Sequence, residues 1–95
     1  MTKLVNEDTL EKTVPILKAI AHPVRLQIVN ILKNGESQVS ELVNALGELQ
    51  SYTSQQLGIL KLSGVLKSKR DGNKVYYFLA NDSIKRIVKS IMDEI

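Results

Sequence analysis

The segment from Leu66 to Leu79 turns back on itself, and it restricts the fold of the whole chain more than any other feature. Lys67-Ser68-Lys69-Arg70 and Lys74-Val75-Tyr76-Tyr77 flank Asp71-Gly72-Asn73, a strong hairpin signal because glycine and asparagine tolerate the backbone angles of tight turns. Strands are predicted over Leu66 to Arg70 and Lys74 to Leu79. Upstream, apolar residues recur at helical rather than alternating spacing. The hairpin is therefore a ribbon on a helical body, and the predicted fold class is mainly α (α+β).

Leu10, Val14, Leu17 and Ala21 define a first helix over roughly 7–21, with Pro15 inside it as a candidate kink or restart. His22-Pro23 opens a second helix, since proline suits a first turn, and Asn34-Gly35 stops it after Lys33. Leu26, Ile28, Val29 and Leu32 lie on more than one of its faces, which marks this helix as central and largely buried. Ser37 is a candidate cap for a third helix carrying Val39, Leu42, Val43 and Leu46, ended by Gly47. A fourth helix spans roughly 51–63, with Leu57 and Leu60 inward and Gly64 closing it. Asn81 or Asp82 caps a last helix carrying Ile84, Ile87, Val88, Ile91 and Ile95. Helices three and four, joined by a short turn, make a helix-turn-helix, and the hairpin after them makes it winged. No linker or repeat interrupts residues 1–95, which are read as one winged helix-turn-helix domain.

The net charge of +3 is unevenly placed. Residues 1–49 hold five Lys/Arg against six Asp/Glu, and residues 50–95 hold eight against four. A basic half is the footprint of a nucleic-acid binder, or more plainly a solvated basic face. The fourth helix tips the reading towards duplex DNA. Its polar residues, from Gln50 and Ser51 to Gln55 and Gln56, are uncharged hydrogen-bonding groups that can pair with base edges in a major groove. The lysines and the arginine of the hairpin can neutralise phosphates beside it.

The first and last helices each carry an apolar stripe, and a core this small does not cover both. A partner copy solves the problem, giving a symmetric dimer through helices 7–21 and 82–95. Leu10, Val14, Leu17, Ile84, Ile87, Val88 and Ile91 are its expected interface residues. No apolar run approaches the roughly 18 residues needed to span a bilayer. The opening residues hold no segment of signal-peptide length, so the expected location is the cytoplasm, with no membrane partner.

The pieces resemble, in order and spacing, the ArsR/SmtB winged-helix repressors. Leu17-Lys18-Ala19-Ile20-Ala21-His22-Pro23-Val24-Arg25-Leu26-Gln27-Ile28 is similar to their opening signature. Glu41-Leu42 through Leu46-Gly47, then Gln50-Ser51 through Leu60, resembles their helix-turn-helix, and Gly72-Asn73-Lys74-Val75-Tyr76-Tyr77 their wing. The resemblance covers about residues 14–80. It implies a homodimeric transcriptional regulator, usually a repressor, on a palindromic operator. Carried over by position, Ser51, Tyr52, Ser54, Gln55 and Gln56 form the base-reading face. Ser51 and Ser54 are alternatively helix caps, and Tyr52 a packing residue. Lys67, Lys69, Arg70, Asn73 and Lys74 form the wing and phosphate set. Three residues depart from the pattern: Leu49 stands where a capping serine is frequent, Gly58 where a long basic residue is usual, and Asn73 where many members carry arginine.

The chain has no cysteine and one histidine, which excludes disulfides, thiolate metal sites and thiol redox sensing. Gln38 and Ser40 occupy the positions of the metal-binding cysteines of related sensors, and the last helix offers Asp82, Asp93 and Glu94 without histidine. His22, beside Pro23, reads as a capping or packing residue ahead of a pH-responsive group or a ligand. No metal or cofactor is expected. The effector, if one exists, is an organic molecule of unknown kind. Scattered single glycines build no phosphate-cradling loop, and no nucleophile–base pair is visible, so no enzyme is predicted. The alternative to a DNA reader is a winged-helix protein-protein interaction module.

Overall fold

The computed structural model describes residues 2–95. Its elements are α1 (Glu7–Ile20), α2 (Pro23–Leu32), β1 (Ser37–Gln38), α3 (Val39–Leu46), α4 (Gln50–Leu62), β2 (Leu66–Asp71), β3 (Lys74–Leu79) and α5 (Asp82–Glu94). α2 lies at the centre, and Ile28, Val29 and Leu32 are buried against Leu42 of α3, Leu57 and Leu60 of α4, and Val88 of α5. Val65, Leu66 and Leu79 close this core from the sheet side. α1 packs on α2 and α4, and α5 on α2 and β3. The outer sides of α1 and α5 have no neighbour within the described residues.

Local chemistry explains most boundaries. The His22 ring accepts from the Arg25 amide (3.4 Å), and Pro23 opens α2 where its missing N–H costs nothing. α1 continues through Pro15, which sits on the exposed side where water can satisfy the carbonyl it leaves free. Gly47 ends α3 in the left-handed region (φ 68°), a conformation other residues adopt only at a cost, and so sets the turn into α4. Asn81 caps α5, its Oδ1 accepting from the Ile84 amide at 3.0 Å. Asn81→Ala should destabilise the fold by about 1 kcal/mol, lowering the thermal midpoint measured by circular dichroism with no change of secondary structure.

The sheet differs from the expected hairpin in two ways. It has three strands in the order β1-β3-β2, because Ser37 and Gln38 pair with Tyr77 and Tyr76. Ser37 is thus a buried strand residue rather than the cap of α3. Gln38 takes the cap position, its amide donating to the Glu41 carboxylate at 3.0 Å. Pairing of Asp71 with Lys74 also shortens the turn to Gly72-Asn73. Gly72 has a φ of 65°, and among the described residues no non-glycine residue has a positive φ, which is the pattern of a two-residue turn with glycine first.

Candidate nucleic-acid interface

α4 has two faces. Thr53, Gln56, Leu57 and Leu60 point into the body, while Ser51, Ser54, Gln55, Gly58 and Leu62 share the outer side at spacings of three and four residues. Of the predicted readers, Ser51, Ser54 and Gln55 are exposed, and Tyr52 is half-buried with its ring partly on the body. Neither serine caps a helix. The cap position belongs to Leu49, which has no side-chain acceptor, so the first amides of α4 are left to other partners. Gly58 leaves the middle of the outer face without a side chain, and a Cβ there would meet nothing within 4 Å.

Gln56 is turned away from the outer face of α4. It is 5% exposed, and its Oε1 accepts from the Arg25 guanidinium at 2.9 Å. Arg25 also donates through Nε to the Ala19 carbonyl at 2.6 Å. One guanidinium therefore ties the end of α1, the start of α2 and the middle of α4 together. A buried amide needs its partners, so this bond helps fix the angle at which α4 is presented. Thr53 plays a related part, donating its hydroxyl to the Leu49 carbonyl at 3.0 Å. Helix phase alone places Gln56 beside Leu57 and Leu60. Arg25, far away in sequence, carries no such signal.

The wing basics divide by strand alternation. Register places Lys67, Lys69 and Lys74 on one face of the ribbon and Arg70 on the other, with Ser68. Ser68 accepts from Lys61 of α4 at 2.8 Å, so its face is turned towards the end of α4. Lys67, Arg70, Asn73 and Lys74 are exposed and, among the described residues, form no ion pair. Lys69 differs, because its Nζ lies 2.8 Å from Glu36 Oε2. The Glu36 hydrogen bond and charge hold the Lys69 ammonium above its usual pKa. It remains charged at neutral pH, but that charge is already matched and is less available to a phosphate.

The expected dimer residues divide too. Leu10, Val14 and Leu17 on α1, and Ile87, Ile91 and Ile95 on α5, are exposed apolar side chains. Ile84 and Val88 are buried in the chain's own core, at 5% and 2% exposure, and so stand apart from the exposed stripe. α5 carries apolar residues on both sides, one turned inward and one to solvent.

The model of the arsR family of bacterial regulatory proteins matches residues 22–68. A biofilm growth-associated repressor of Xylella fastidiosa is 34% identical over 91 residues, 96% of this chain and 80% of that protein. Its counterpart in Agrobacterium fabrum is 37% identical over 76 residues, and there the match spans only 65% of the relative's length. Among solved structures, HlyU of Vibrio cholerae superposes with a TM-score of 0.88 at 31% identity, covering 94% of this chain and 97% of that one. The homodimeric winged helix-turn-helix DNA-binding domain of a possible ArsR-family regulator from Mycobacterium bovis gives 0.85 at 27% identity, over 99% and 89%. With an outward polar helix, a basic wing and this kinship along nearly its whole length, the chain belongs to the arsR family, whose members are DNA-binding transcriptional regulators with a winged helix-turn-helix and not enzymes.

Proposed function

We infer that this chain is a cytoplasmic transcriptional repressor that acts as a homodimer on a palindromic operator. The observation that carries the reading is the outer face of α4, where Ser51, Ser54 and Gln55 present uncharged donors and acceptors, followed in the chain by a wing whose Lys67, Arg70 and Lys74 are exposed cations free of ion pairs among the described residues. Side chains of this kind distinguish base pairs in a major groove, and the cations fix register through phosphates. Gln55 is the principal reader, since an amide can contact adenine through two hydrogen bonds. Tyr52 borders the groove, and Asn73 at the wing tip replaces a charged contact with a polar one. The exposed stripes of α1 and α5 support the dimer, as does the homodimeric state of the Mycobacterium bovis neighbour. The repressor role rests on what the biofilm growth-associated relatives are named for.

Selection of binding sites from random duplexes with the purified protein tests the reading. Recovery of an inverted repeat with half-sites about 10 base pairs apart is the expected result. Enrichment of no sequence overturns it.

Control by metal is not part of this reading. The residues at the family's metal positions, Gln38 and Ser40, supply no thiolate, and carboxylates without imidazole hold only hard cations weakly. Stoichiometric zinc, nickel, cadmium or arsenite should leave operator affinity, measured by fluorescence anisotropy, unchanged. A shift of tenfold or more with any one of them would show a site built from other residues.

A further inference from the structure

A groove of about 420 Å³ runs between the second half of α1 and the C-terminal half of α4. Its walls are mostly apolar, formed by Pro15, Ala19, Ile59 and Leu62 with Ser63, whose hydroxyl is already bonded to the Leu60 carbonyl, and its only charged residues are Lys18 and Arg25. Leu62 is 92% exposed, which gives a large apolar side chain no cover at all within the chain. Neither Lys18 nor Arg25 forms an ion pair among the described residues. Arg25 is half-buried, with two of its N–H groups committed to Ala19 and Gln56 and the rest without a protein acceptor. None of its nitrogens is both buried and unsatisfied, so the unused donors reach open space.

From this groove we propose a binding site for a small organic acid with an apolar body, which regulates DNA binding by drawing Arg25 away from Gln56. Apolar walls with two unmatched cations and no acidic residue are complementary to an amphipathic anion and to neither a cation nor a sugar-like polyol. A carboxylate is the natural partner of the free side of a guanidinium. The site is separate from the stripe proposed for dimerisation. At about 100° per residue, Pro15 and Ala19 lie on a different flank of α1 from Leu10, Val14 and Leu17, and Lys18, one turn from Val14, stands at the border between the two. Occupancy and dimerisation are therefore compatible. The coupling runs through one hydrogen bond, because Gln56 adjoins Gln55 and Arg25 is the partner that holds it. An anion held on the free side of the guanidinium draws Arg25 into the groove, which lengthens and weakens its bond to Gln56 and frees α4 to shift.

The regulatory half rests on the DNA-reading proposal, while the site itself does not. Octanoate is the probe, compared with octylammonium and 1-octanol, in two-dimensional amide NMR of the full chain without DNA. Octanoate should move the resonances of Lys18, Ala19, Arg25, Ile59 and Leu62 together with the side-chain amide of Gln56. Octylammonium at equal concentration should leave them in place. Lys18→Glu, an exposed charge reversal that the fold tolerates, should weaken octanoate by about threefold, the size expected of one partly exposed ion pair. Saturating octanoate should also lower affinity for a selected operator by about fivefold or more, and DNA must weaken octanoate by the same factor. Equal binding of octylammonium, or shifts confined to the outer stripes of α1 and α5, overturns the site. Groove shifts without movement of Gln56 overturn the coupling. Failure to select any operator would remove the DNA reading and leave the NMR result to judge the groove.

Discussion

The double substitution Ile87→Asp with Ile91→Asp should leave the chain folded, monomeric at micromolar concentration, and weaker on its operator by roughly a hundredfold to ten-thousandfold. Both side chains are about two-fifths exposed and stand outside the buried core, so their loss takes little from the monomer. In a symmetric dimer each is removed from water twice. Full burial of such a side chain is worth about 1.5–3 kcal/mol, and the exposed part about 1 kcal/mol per copy. Aspartate does more than forfeit that gain, because it places like charges across a twofold axis without partners. The loss on DNA is larger still, since a monomer grips one half-site and forgoes the second, effectively intramolecular contact. Sedimentation velocity and operator titration check the two halves. Val88→Asp is the contrasting control: at 2% exposure it enters the core and should unfold the chain. If the double variant sediments like the parent, or if the parent itself is a monomer, the interface lies elsewhere or does not exist.

That contrast also marks where the sequence is readable. The existence and order of the helices, the hairpin and the cap at Asn81 follow from local rules, because spacing, Gly72 and the Asn side chain act within a few residues. The direction of an apolar stripe does not. Ile84, Ile87, Val88 and Ile91 form one apolar group in the sequence, and only packing of α5 on α2 and β3 separates the inward pair from the outward pair. β1 is two residues long and has no pattern to detect, since it exists only because β3 offers an edge. Two predicted contacts change character for the same reason. Gln56 is claimed by Arg25 and Lys69 by Glu36, partners distant in sequence. The predicted contacts that remain exposed and free, Ser51, Ser54, Gln55, Lys67, Arg70, Asn73 and Lys74, are those whose role depends on nothing beyond helix phase or a hairpin tip.

Gln55→Ala and Lys74→Ala should weaken operator binding in different ways. Gln55 is exposed on the outer side of α4, one turn from its start, where a side chain can reach a base edge. A bidentate amide–adenine contact is worth about 1–3 kcal/mol of discrimination, and a dimer loses it in both half-sites. Affinity for the best operator should therefore fall by roughly a hundredfold, with preference relaxed at one symmetric pair of positions and non-specific binding nearly unchanged. Lys74 closes the hairpin beside Gly72-Asn73, and its exposed ammonium is suited to a phosphate rather than to reading a base edge. Its removal should weaken every duplex alike and lower the slope of log K against log salt by about one per protomer, because fewer counterions are released. Arg70→Ala should behave as Lys74→Ala does. Lys69→Ala should do less than either, since Glu36 already neutralises that charge and the salt bridge, not a phosphate contact, is what is lost. Titrations of operator and scrambled duplex at several salt concentrations separate these outcomes. A Gln55→Ala protein with unchanged affinity and preference would mean that α4 is not the reader. A Lys74→Ala protein that loses preference but keeps its salt slope would place the wing in a groove rather than on the backbone.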